Sequence, residues 1–299
     1  MESNLGRLVT FRTRDDFEII GMRFTNPLLS SDTIVIHIHG NFGNFYQNKF
    51  LWVMSNSYVH NGIDFLTINL SSHDGLAEGY YGRELKYVGG GVADYDSSQA
   101  DIEASIQYAQ EKGYKKIILQ GHSLGCDKVI QYTFENKSDF PLILLSPVDS
   151  YKVQSEWIRP ETVEEQIERL YSQLQNTDEG WGKADLDWLQ STEYGARGDT
   201  AEWIYQIPIT RKALISILHG AAFKYLNLNN KMHYSIKNPS FAFVGKKDGL
   251  QMHDQKVWVD FLYKLFSHIC ISDDLDADHD VIGVEKELTG RIIRWIKML

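Results

Sequence analysis

Short, almost wholly apolar runs recur along the chain and alternate with longer amphipathic stretches. TIVIHIHG (33–40), IDFLTINL (63–70), KKIILQ (115–120), FPLILLSPV (140–148), PSFAFVG (239–245) and HICIS (268–272) have the length and apolar continuity of strands buried on both faces. Between them, 45–59, 95–112, 254–266 and 283–298 read as helices, the second with Ile102, Ile106 and Ala109 at helical spacing. LVTFRT (8–13) and FEIIGMRFT (17–25) flank an acidic turn at Asp15 and Asp16, the pattern of an antiparallel hairpin. Strand and helix in alternation predict an α/β fold with a mostly parallel, doubly wound sheet, preceded by that hairpin.

The rhythm stops near residue 150 and resumes near 236. In the interval, VEEQIERLYSQLQN sets Val163, Ile167, Leu170, Tyr171 and Leu174 on one helix face, and Trp157, Trp181, Trp188, Trp203, Tyr194 and Tyr205 fall in the same span. The expected division is a core made of residues 1–150 and 236–299, with 151–235 as an inserted, mainly helical cap. HDGLAEGYYGRELKYVGGG (73–91) lacks the glycine spacing of a dinucleotide loop and is expected to be a mobile loop near a pocket mouth.

Charge narrows the partners. The 299 residues carry a formal net charge of -10, the wrong sign for phosphate neutralisation, so neither nucleic acid nor an anionic membrane is an expected partner. The N-terminus has no apolar core behind a basic start, and no run approaches the ~18 apolar residues of a membrane span, which leads to the expectation of a cytoplasmic protein. Cys126 and Cys270 are too few and too distant for a disulfide framework or a thiolate metal site and are read as free thiols.

The chemistry concentrates in GHSLG, Gly121 to Gly125, which lies between a buried strand and a helix. That context matches the G-x-S-x-G turn, where a sharp bend exposes the serine and bulky neighbours two positions away would collide. On this motif and the element order, the chain resembles the α/β-hydrolase superfamily over nearly its whole length. The layout of HGNFGNF, the 73–91 loop and the cap is also similar to hydrolases related to siderophore esterases.

The resemblance implies a chain order of serine, acid, histidine. Asp248 in FAFVGKKDGLQ follows a strand, whereas its rivals Asp254 and Asp260 fall in the next helix; His279 in ISDDLDADHDVIG follows the last strand, whereas His253 comes too early and His268 begins the strand. Ser123, Asp248 and His279 are therefore the expected triad. The oxyanion donors it implies are the amide of Leu124 and one from HGNFG (39–43), with Asn41 preferred and Phe42 second. His37 and His39 form an H-x-H pair, but no further ligand cluster follows, so no metal is expected and His37 is read as a hydrogen-bonded core residue. His122 is read as structural.

A serine nucleophile points to acyl transfer to water without a cofactor. The expected activity is carboxylic ester hydrolysis on a small-molecule ester. The aromatic interval suggests a bulky or macrocyclic ester or lactone, siderophore-like or macrolide-like, with Trp157, Trp181, Trp188, Trp203 and Tyr205 as candidate substrate contacts. A peptidase or amidase, and a ligand-binding protein on a hydrolase scaffold, remain open.

Overall fold

The computed structural model describes residues 6–155, 190–195, 204–209, 211–220 and 235–299. An eight-stranded sheet runs in the order β1-β2-β4-β3-β7-β8-β11-β12. β1 (Gly6–Arg12) and β2 (Glu18–Phe24) form the N-terminal antiparallel hairpin, and β2 joins β4 (Asp64–Ile68) antiparallel. From there β3 (Thr33–Ile38), β7 (Lys116–His122), β8 (Leu142–Leu145), β11 (Ser240–Phe243) and β12 (Ile269–Ser272) add in parallel.

The unbroken apolar runs are explained by two cores. Ile34, Ile36, Ile117, Leu119, Leu142 and Leu144 face one cluster, while the residues between them, Val35, Ile118 and Ile143, face the other. Strand side chains alternate between faces, so only a sheet covered on both sides wants every position apolar. α2 (Ser97–Glu111), α3 (Leu124–Asn136) and α6 (Gln255–Leu265) cover the first face; α1 (Lys49–His60) and α7 (Glu285–Ile296) cover the second.

Strand order reverses at β3. Its successor β4 lies on one side and β7 on the other, so the carboxyl ends of β3 and β7 border a crevice of the kind that holds ligands in doubly wound sheets. HGNFG leaves β3 and GHSLG leaves β7 into that crevice.

Two stretches differ from expectation. Much of 73–91 is a hairpin of β5 (Ala77–Tyr81) and β6 (Glu84–Val88) with Gly82, at φ 61°, in its turn. Each strand is only five residues long, and Gly79 interrupts the first, which masks the alternation that would mark the hairpin in the sequence. Between β8 and β11, which are neighbours in the sheet, the chain makes α4 (Ser150–Ser155) and α5 (Arg211–Gly220), as a cap does, but also an antiparallel ribbon of β9 (Gln190–Gly195) and β10 (Ile204–Ile209). Among the described residues, no helix is long and apolar enough to cross a membrane.

Candidate active site

Ser123 sits where β7 turns into α3, with φ 55° and ψ −127°. A non-glycine residue with positive φ is strained, and the strain persists only where the surroundings enforce it. Here the enforcement is steric and hydrogen-bonded. A Cβ on Gly125 would come within 2.1 Å of Ile38 O, and one on Gly121 within 2.4 Å of Gly125 O, so the turn closes only with glycine at both places. Ser123 N–H donates to Leu145 O at 3.0 Å, tying the bend to the next strand. Leu124 then opens α3, so its amide lies at the helix N-terminus beside the serine.

The loop after β3 presses against the same point. A Cβ on Gly40 would meet the Ser123 Cβ at 2.8 Å and its Oγ at 3.3 Å. The loop is held from below by His39, whose Nε2 accepts from Leu70 N at 3.1 Å, which leaves Nδ1 as the N–H that donates to Gly40 O at 2.8 Å. Phe42 has φ 55°, and Asn41 Nδ2 is buried without a hydrogen-bond partner among the described residues. Asp74 fixes the far end, accepting from Asn44 Nδ2 at 2.6 Å and from the Tyr46 hydroxyl at 2.8 Å.

Acid and base arrive on two loops that run together beyond β11 and β12. Lys247 N–H donates to Ala277 O at 3.0 Å, and a Cβ on Gly245 would stand 2.4 Å from the same oxygen, so Gly245 permits the close approach. His279 Nδ1 thereby lies 3.0 Å from each carboxylate oxygen of Asp248, whose Oδ1 also accepts from Leu250 N at 3.0 Å. Burial alone would raise the Asp248 carboxyl, but the charge and hydrogen bond of His279 outweigh it and hold the carboxyl below its ordinary value. Burial works against the His279 cation, yet Asp248, then Asp280 and Asp278, raise its pKa above 6.5. Asp278 also shapes the turn, its Oδ1 accepting from Asp280 N and Ile282 N, both at 3.1 Å.

His122 joins the two halves. Its Nε2–H donates to His279 O at 2.8 Å, and the two rings lie 5.0 Å apart. Burial, then the charge of His279, pushes His122 down to about 4, so at neutral pH it is a neutral donor holding the His279 backbone. Among the described residues no hydrogen bond joins Ser123 Oγ to His279.

The structure thus sets Gly40 of the 39–43 loop and the Leu124 amide beside Ser123, stands Asn41 and Phe42 against Gly90, and pairs Asp248 with His279, which His122 ties to the serine's turn. His37 accepts from Gln120 Nε2 at 2.9 Å in the core, Gln120 being oriented by the Tyr58 hydroxyl at 2.8 Å. Tyr194 and Tyr205 are register partners on β9 and β10; Trp157, Trp181, Trp188 and Trp203 lie outside the described residues. Sequence reasoning missed the supporting role of His39, which reads as half of an H-x-H pair, and of Asp74, which has no motif. It also missed a second acid–histidine pair, His253 Nε2 to Asp149 Oδ2 at 2.9 Å, on the other flank of the Asp248 loop.

No protein-family model matches the chain, and no curated protein sequence does either. Solved structures do. An esterase from Pyrococcus furiosus, Pf2001, superposes with a TM-score of 0.58 at 17% identity over 98% of this chain and 90% of that one. Est1E from Butyrivibrio proteoclasticus, solved with ferulic acid bound, gives 0.61 at 15% identity over 97% and 98%. DcsB, solved with a substrate analogue, gives 0.67 at 12% identity over 98% and 99%. Together with the sheet order and its N-terminal hairpin, these likenesses show that the chain has the α/β-hydrolase fold.

Proposed function

We propose that the protein is a serine hydrolase of carboxylic esters, with Ser123 as nucleophile, His279 as general base and Asp248 as its partner. The observation that carries this reading is the Asp248–His279 pair, two 3.0 Å contacts that commit Nδ1 to the acid and leave Nε2 as the free ring nitrogen, tied by His122 to the turn of a strained serine. In this mechanism His279 Nε2 takes the Ser123 proton as Oγ attacks the ester carbonyl. The Leu124 amide and that of Asn41, or of Phe42, hold the tetrahedral oxyanion. The proton then passes from His279 to the departing alcohol, and water repeats the sequence on the acyl-serine.

The buried Asp248 carboxylate holds the Nδ1–H tautomer and offsets the charge that His279 acquires. The likeness to esterases of the same fold supports ester over amide chemistry. For the substrate we propose a bulky organic ester or lactone, because residues 151–235 leave the sheet between β8 and β11, at the end where Ser123 lies, and form the cap in this reading. The test is labelling by a fluorophosphonate and turnover of p-nitrophenyl esters, with Ser123→Ala as control. Labelling and turnover in the wild type alone support the reading; a wild type that is neither labelled nor active sinks it and leaves a binding protein on a hydrolase scaffold.

A further inference from the structure

A cavity of about 120 Å³ lies between the β5–β6 hairpin and the first turn of α2. Ser71 and Ser97 present hydroxyls to it, Tyr81, Val88 and Ala93 wall it, and the exposed Tyr87 stands at its opening. None of the residues assigned to ester hydrolysis lines it. Lys86 also borders it, but its ammonium is engaged, 3.2 Å from Glu84 Oε2 and 5.0 Å over the Tyr81 ring.

The proton inventory of the two hydroxyls defines what can bind. Ser97 Oγ donates to Asp94 O at 2.7 Å, and a carbonyl can only accept. Ser71 Oγ donates to Asp101 Oδ2 at 2.8 Å, and the two serine oxygens lie 2.8 Å apart. Burial, opposed by the hydrogen bonds from Ser71, pushes Asp101 up to about 7. The network runs from Asp101 through Ser71 and Ser97 to Asp94 O. Both hydroxyl hydrogens are spent within it, so the serine oxygens offer lone pairs to the cavity.

We propose that this cavity is a second binding site, separate from Ser123, for a phenol: one aromatic ring carrying one hydroxyl donor. The hydroxyl meets the acceptor surface of Ser71 and Ser97, and the ring lies among Tyr81, Val88 and Ala93. At about 120 Å³ the cavity is smaller than the about 150 Å³ that takes up benzene, but it is not enclosed, so one edge of the ring stays at its opening. The chemistry is selective, since an ether has no hydrogen to donate to either serine oxygen.

The test is calorimetric titration of phenol and of anisole, its methyl ether, into the wild type and Ser123→Ala. Phenol is expected to saturate one site with equal affinity in both proteins, and anisole to bind about 10-fold more weakly, the worth of one hydrogen bond. Ala93→Leu, which fills the cavity, should abolish phenol binding. If that variant does not fold, Ser97→Ala should lower phenol affinity while leaving anisole unchanged. Absence of saturable phenol binding, equal affinity for the two probes, or displacement of phenol by phosphonylation of Ser123 in the wild type would each overturn the proposal. Because binding is read in Ser123→Ala, failure of the esterase reading does not decide this one.

Discussion

Ser123 keeps its strained backbone because Gly125 lets α3 start against the carbonyl of Ile38. Gly125→Ala should therefore cost about 3 kcal/mol or more, the upper range for overpacking, because the obstructing atom is backbone and cannot swing aside. Urea unfolding measures this, and a near-neutral midpoint would mean that the turn is looser than described. In the proposed mechanism Asp248→Asn leaves the fold intact but lets His279 take the wrong tautomer, with kcat expected to fall about 10⁴-fold. His279 must be neutral to accept the Ser123 proton. As burial is outweighed by Asp248, Asp280 and Asp278, the acid limb of kcat/KM should lie above pH 6.5. Asp280→Asn removes one of the charges that favour the cation and should move that limb to lower pH; an unmoved limb would place the essential titration on another group.

Between elements, the decisive contact is the loop after β3 meeting the turn after β7. His39 sets that contact through two hydrogen bonds, to the Leu70 amide and the Gly40 carbonyl. His39→Ala should release Gly40 from its place beside Ser123 and reduce kcat about 10²-fold, as ångström-scale misplacement of reacting groups does. The expected signature is a lower kcat with KM little changed and a folded far-UV spectrum; loss confined to KM would assign His39 to substrate binding instead. GHSLG was legible in the sequence because a strand-to-helix turn this sharp needs glycine at fixed positions, Gly121 meeting the backbone of Gly125 within the turn itself. The β5–β6 hairpin was not, because it lies outside the main sheet, touching it through the Phe17–Tyr81 bridge just before β2, and its solvent-facing positions Tyr80, Leu85 and Tyr87 carry large apolar side chains that hide the alternation.

Across the whole molecule, buried carboxyls link stability to pH. Asp127, one turn beyond Ser123, is pushed up to about 7 by burial first and by Asp149 after it, although Ser150 Oγ donates to it at 2.5 Å. Its folded pKa exceeds the ordinary 3.8, so the folded state binds more protons between those values. The stability it contributes is full below about pH 4 and is lost as the pH rises through about 7, as for Asp101. Asp127→Asn should flatten this decline: the melting temperature should fall less from pH 5 to pH 8 than in the wild type. Parallel wild-type and variant curves would show that Asp127 does not titrate in that range.

The chain's apolar runs determined the parallel sheet and its two cores, because strands buried on both faces must be apolar at every position. The same local logic determined the turn at GHSLG. Which acid meets which histidine was decided by tertiary structure. Asp248 and Asp149 both follow strands, His279 and His253 both follow Asp248, and only the paired run of the loops after β11 and β12 joins 248 to 279 while His253 turns to Asp149. The network from Asp101 to Asp94 is likewise invisible in sequence, since it depends on Ser71, from the loop after β4, meeting three groups at the start of α2.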